Sequence, residues 1–274
     1  MISAVSNVTI PQKYNKALSF GTLEREVYKN NQKKEIKYRN NTTLFRQDLN
    51  WRRVTNYIIS DEKPKKIYCY ACSDGSEPYS VAIMLISKLG WKGAQKYFPI
   101  IARDIDKFAV NRAKSGFINL TDIDVIGMMK KQNNPLTDFF IYKKKTAFED
   151  NYSTYKVSDR LRACVNFEKG NLLDDAKNLN YDNAVIFFRN VWPYLSKSER
   201  RNLMTDFSER FKENTTLVVG AYDENPEGEN FIVPNFEYEM EKYDLHSMGQ
   251  KIYKKYKING FKDFIKVLWH RMKI

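Results

Sequence analysis

From residue 65 onward the chain alternates short, mostly apolar runs with longer stretches in which apolar residues recur every three or four positions. The runs at 65–72, 97–103, 163–169, 183–188 and 215–222 have the length and the β-branched and aromatic content of strands. The stretches at 78–89, 107–115 and 196–212 have the period of a helix, and a shorter one lies near 123–131. Apolar strands separated by helices predict a doubly wound α/β fold, with a mostly parallel sheet covered on both faces. Such a sheet takes its ligands beyond the C-terminal ends of its strands, where the strand order reverses.

The flanks depart from this rhythm. Residues 1–60 are polar and basic, with weak helical periodicity over 23–38 and a helix-like stretch from Trp51 to Ile59, and are read as a basic, helical N-terminal arm. Residues 61–256 form the α/β domain. Residues 257–274 place Phe261, Phe264, Ile265, Val267 and Leu268 at helical spacing among basic residues, a C-terminal helix either docked on the domain or lying on a membrane surface. Within the domain, 132–160 reads as an excursion over the sheet edge. The stretches 236–247 (FEYEMEKYDLHS) and 250–258 (QKIYKKYKI) read as a terminal β pair antiparallel to the rest.

Composition narrows the classes. A chain of 274 residues that is 42% hydrophobic can bury one sizeable core. Its net charge of +13 has two explanations, an acidic partner (nucleic acid, an anionic membrane or an acidic protein surface) or a general bias toward Lys and Asn. No run reaches the roughly 18 apolar residues of a membrane span, and the opening MISAVSNVTIPQKYNKALSFG lacks the layout of a signal peptide. Three cysteines and two histidines make no disulfide framework, so a soluble cytoplasmic protein is expected. Cys69 and Cys72 form a C-x-x-C, but a redox pair opens a helix whereas Cys69 falls inside a strand. Zinc would need two more ligands, and Cys164, His246 and His270 lack paired spacing. Buried, inert thiols and no metal are expected.

The informative positions are the strand tips. After the first strand come Ala71-Cys-Ser-Asp-Gly75 and then Glu77, a tight turn with one glycine and two carboxylates. Phosphates would favour a glycine-rich nest and a lysine; carboxylates favour a cation. After the second strand stands Asp104, placed to accept both hydroxyls of a ribose. Asp106, two residues on, is the natural N-cap of the next helix. The fourth strand ends in Arg189-Asn190-Val-Trp-Pro-Tyr194, a polar pair followed by aromatics that can line an acceptor pocket. A nucleoside with a positive or zwitterionic tail fits these tips, and S-adenosylmethionine is such a molecule.

In order along the chain, NNTTLFR (40–46), ACSDGSEPYS (71–80), RDID (103–106) with AKSG (113–116), GNLL (170–173), RNVWPY (189–194) and GQKIY (249–253) resemble the motifs of one family. It is the S-adenosylmethionine-binding domain of the CheR-type chemotaxis receptor methyltransferases, which are protein-glutamate O-methyltransferases. The resemblance runs from about Asn40 to Tyr253. It implies a seven-stranded, Rossmann-like class I methyltransferase fold, S-adenosylmethionine as cofactor with S-adenosylhomocysteine as product, and a protein partner bearing glutamate side chains, such as a chemoreceptor. Carried over position by position, it makes Asn40, Thr42, Arg46, Ala71, Glu77, Asp104, Asn171, Leu172, Arg189 and Asn190 cofactor contacts, with Glu77 on the ammonium group. Arg46 and Tyr194 also face the reacting centre.

Several positions depart from the pattern. Asp74 and Ser76 replace a Thr and a Glu of the first turn, Trp192-Pro193 replaces smaller apolar residues and is expected to reshape the acceptor pocket, and GAYDE (220–224) lacks the family's histidine. The helical N-terminal domain is expected to be abbreviated or missing. Two other functions stay open. An RNA methyltransferase is prompted by the charge and by an echo of N-P-P-Y in Asn190…Pro193-Tyr194, one residue too long, and would need a continuous basic face. The other is a non-catalytic protein that keeps the cofactor site as a signalling scaffold.

Overall fold

Two adjacent and largely buried strands lie at the centre of the sheet. Lys66–Tyr70 (β1) lies parallel to Ala184–Phe188 (β7), whose residues are all buried. Side chains alternate across this layer: Ile67 and Cys69 join one core, Tyr68 and Tyr70 the other. Both faces must therefore be covered, and the helices divide accordingly. Trp51–Ile59 (α1), Ser76–Ala94 (α2) and Lys107–Ser115 (α3) cover the first face. Leu172–Asn178 (α5), Lys197–Arg210 (α6) and Phe236–Glu241 (α8) cover the second.

This is a computed structural model that describes residues 42–61, 63–121, 138–145, 152–212, 214–224, 236–249 and 251–255, with positions 260, 262 and 265. Outward from β1, the sheet continues in parallel through Ile100–Asp104 (β2) to Val165–Lys169 (β6). Outward from β7 it runs through Thr216–Val219 (β8) to Ile252–Lys255 (β10) and Leu245–Ser247 (β9). The order β6-β2-β1-β7-β8-β10-β9 is seven-stranded, and β10 pairs antiparallel with both its neighbours. The chain winds one way from β1 and the other way from β7, so the switch point lies between them. This is the expected doubly wound, Rossmann-like sheet.

Element boundaries follow local chemistry. Asp106 accepts from the Phe108 N–H as N-cap of α3, and Gly116, at φ 70°, closes it, so the helix occupies the expected 107–115. The second helix runs past the expected 89 because the chain resumes helix after a kink at Gly90, at φ 68°. The expected excursion, 132–160, belongs to a second sheet: its strands Phe140–Lys145 (β4) and Tyr152–Val157 (β5) join Phe117–Thr121 (β3), which precedes it, antiparallel in the order β3-β5-β4. It is seated on the first core through Ile118, Leu120, Phe140 and Val157. Asp159–Arg162 (α4) leads back to β6.

One expectation is corrected. Residues 236–247 are not a strand throughout, because Phe236–Glu241 is helical. Phe236 and Met240, four apart, are buried at 2% and 0% exposure while Tyr238 between them is 58% exposed. That is helical spacing, and it outweighs the alternation that suggested a strand. The expected helix near 123–131, the arm before residue 42 and nearly all of 257–274 lie outside the described residues. Among the described residues, no helix is long and apolar enough to cross a membrane.

Candidate functional site at the strand tips

The first turn, after β1, departs from ordinary backbone geometry. Ala71 and Ser73 hold φ of 54° and 52°, and Gly75 holds 90°. A left-handed conformation costs a non-glycine residue about 1–3 kcal/mol, and such residues concentrate at ligand sites. Gly75 is also fixed by packing, since a Cβ there would lie 2.9 Å from Phe167 Cζ. What holds the turn is Asp104 at the tip of β2. Its Oδ2 accepts from Ser73 N at 2.8 Å and its Oδ1 from Asp106 N at 2.9 Å. Burial raises the Asp104 carboxyl, with those N–H groups pulling against it. Ser73 Oγ is buried and has no hydrogen-bond partner among the described residues, a polar atom suited to a bound ligand.

Across the switch point, Glu77 in the first turn of α2 pairs with Arg189 at the tip of β7, Nη1 to Oε2 at 2.7 Å. The other end of the same guanidinium holds Asp48, which the sequence reading missed. All three side chains are largely buried, at 3% exposure for Arg189, 11% for Glu77 and 15% for Asp48. Burial raises Glu77 and the Arg189 charge opposes it. Burial would also raise Asp48, but Arg189, the Ala221 N–H and Arg46 hold it below the usual carboxylate range. The charge of Arg46 thus reaches both carboxylates.

Arg46 and Thr42 sit on the segment 42–50, which packs over these tips before α1 begins. Leu44 and Leu49 bury into the core, the Phe45 N–H donates to Ser80 Oγ at 2.9 Å, and Trp51 Nε1 donates to the Arg46 carbonyl at 3.0 Å. Asn171, after β6, caps α5 by accepting from Leu173 N at 3.1 Å, and Leu172 beside it is buried. Asn190 has φ 58°, and its carboxamide lies where a Cβ on Gly220 would be, so that glycine makes room for it. Tyr194, on the single turn Trp192–Tyr194, is 38% exposed. Asn40 lies outside the described residues.

A second residue without a motif organises this side. Asp223, in the short helix Ala221–Glu224 (α7) after β8, has no exposed surface. Its carboxylate accepts from four backbone N–H groups: Gly220 at 2.7 Å, Val191 and Trp192 each at 2.8 Å, and Asn190. Burial pushes the carboxyl up to about 7 against those four donors. The Arg189–Tyr194 loop therefore owes its shape to a carboxylate more than 30 residues away. Trp192 is buried and packs edge-on against Phe188 and Phe236. Cys69 and Cys72 are free and buried, and burial raises both thiols, with Glu77 adding to each and Asp104 to Cys72. They are packing thiols buried in the core. Among the described residues no cluster could hold a metal.

The arrangement sets a buried carboxylate, Asp104, on one side of the switch point and a buried ion-paired cluster on the other. A family model described as "CheR methyltransferase, SAM binding domain" matches residues 40–237. The chemotaxis protein methyltransferase of Listeria monocytogenes is 25% identical over 190 residues, covering 68% of this chain and 65% of that protein. That of Borreliella burgdorferi is 26% identical, covering 66% of this chain and 63% of its own. That of Salmonella typhimurium is 26% identical, covering 66% and 59%. The match spans less than two thirds of each relative's length.

Proposed function

The chain belongs to the CheR methyltransferase family, and on that footing we propose that it is an S-adenosylmethionine-dependent protein-glutamate O-methyltransferase. The observation that carries this reading is the buried Asp104 carboxylate pinning a strained first turn opposite the Glu77–Arg189 pair. In this reading Asp104 accepts the ribose hydroxyls. Ala71 and Ser73 present the turn to the methionine end, and Glu77, its charge shared with Arg189, meets the ammonium group. Asn40, Thr42, Asn171, Leu172 and Asn190 complete the lining. Bound S-adenosylmethionine supplies an electrophilic methyl group on a sulfonium.

The residues have little acid–base work to do. A glutamate side chain is already ionised at neutral pH and needs no general base. It needs alignment, which is worth several orders of magnitude in effective concentration. Arg46, partly exposed on its segment, is suited to hold the incoming carboxylate through its planar fork. In this reading Tyr194, 38% exposed, hydrogen-bonds the same group or packs its methylenes. The partner is a protein bearing exposed glutamates, of chemoreceptor type. Incubation with methyl-labelled cofactor and candidate receptor proteins is expected to give protein-bound label that mild alkali releases, as for an ester. Label that resists alkali, or bound cofactor without transfer to any receptor, would contradict the reading.

A further inference from the structure

The edge of the main sheet opposite β9 is formed by β6. Ile100 N donates to the Cys164 carbonyl at 2.9 Å and Gly170 N to the Asp104 carbonyl at 3.0 Å, so the even-numbered residues of β6 turn their backbone toward β2. The N–H and C=O groups of Val165 and Phe167 therefore point away from the sheet, where no strand pairs among the described residues. A cavity of about 490 Å³ lies there, within the size range of small-molecule sites. Val165, Asn166 and Phe167 line it in succession. Side chains alternate between the faces of a strand, so three consecutive residues meet one cavity only along the edge.

We propose that this cavity is a second ligand site, for a planar aromatic carboxylate. One wall is aromatic: Phe167 meets Tyr79 edge-on, with ring centroids 5.4 Å apart, and both are buried. Phe167 is braced from behind, since a Cβ on Gly75 would stand 2.9 Å from its Cζ. The wall is thus preformed, and a flat ring laid against it leaves water at little conformational cost. The rest of the lining is charged. Arg162 donates to Asp159 Oδ1 at 3.1 Å and to the Lys114 carbonyl at 2.9 Å, and Lys156 Nζ stands 4.0 Å from the same Asp159 oxygen. Asp159 is therefore neutralised from two sides, while the Lys114 ammonium, also on the cavity, has no partner among the described residues. That leaves a positive charge beside outward backbone N–H groups, a combination that suits a carboxylate attached to the ring.

The test titrates the full chain with 2-naphthoate, and with 2-naphthamide as its neutral counterpart, by ligand-observed NMR and calorimetry. Naphthoate is expected to saturate one site and to bind at least about fivefold more tightly than the amide, the effect of a charge-assisted hydrogen bond near solvent. Lys114→Met, which keeps the stem and loses the charge, should bring that preference to within about twofold. Ala163→Trp, on an exposed part of the lining, should abolish binding of both probes with the circular dichroism spectrum unchanged. Saturating S-adenosylmethionine should leave naphthoate bound, which separates this cavity from the strand tips. Binding that does not saturate, equal affinity for acid and amide, an acid preference that Lys114→Met keeps, binding that survives Ala163→Trp, or displacement by the cofactor would each overturn the inference. The cofactor assignment stands on other residues and is untouched by any of these results.

Discussion

Arg189→Met is expected to lower stability by about 3–5 kcal/mol and to remove cofactor binding, because it strands two carboxylates in a buried place. Glu77 and Asp48 sit on the two ends of this guanidinium, and Glu77 is already raised by burial with Arg189 as its main opponent. Removing the cation lets burial dominate. Both carboxylates then have folded pKa values above their unfolded ones, so the variant's stability falls as the pH rises through those values. Urea unfolding should therefore show the largest deficit at pH 8 and partial recovery near pH 5. Adding Glu77→Gln removes one stranded charge and should restore part of the stability without restoring binding. A deficit below about 1 kcal/mol would show that the pair is screened by solvent and contributes as little as a surface ion pair.

Asp223→Ala is expected to cost about 3–5 kcal/mol, since it leaves four N–H groups in a fully buried position without their acceptor. The damage should reach the site, because three of those donors belong to Asn190, Val191 and Trp192. The sign of its pH dependence follows from the raised carboxyl. With a folded value of about 7, above the ordinary carboxylate value, the Asp223 contribution is complete at low pH and is lost as the pH rises through about 7. The gap between wild type and Asp223→Ala in thermal or urea unfolding should accordingly be wider at pH 5 than at pH 8. A gap near zero at both would mean that water replaces the carboxylate.

The parts of the site that were legible in the sequence are those whose chemistry is local. A capping Asp106 and a closing Gly116 bracket α3 within one stretch of chain, and a carboxylate after an apolar strand marks Asp104 wherever that strand lies in the sheet. Asp48 and Asp223 were not legible for the opposite reason. Asp48 meets Arg189 141 positions away and Ala221 173 positions away, so only the sheet topology brings them together. The 236–241 helix was misread because Phe236, Tyr238 and Met240 satisfy a period of two on paper, while burial chooses the first and third. The β3 strand was missed because exposed Phe117 blurs the alternation that buries Ile118 and Leu120. The packing of Trp192 was not legible either, because its backbone N–H is taken by Asp223, 31 positions away, and its ring meets Phe236.

The most direct measurement is a calorimetric titration of wild type and Asp104→Ala with S-adenosylmethionine, displaced by S-adenosylhomocysteine. If a carboxylate at the second strand tip grips a nucleoside beside a strained turn, wild type binds one equivalent and the folded variant binds at least about tenfold more weakly, the worth of a hydrogen bond to a charged group. Full-strength binding by folded Asp104→Ala, or no heat of binding to wild type at all, would contradict it.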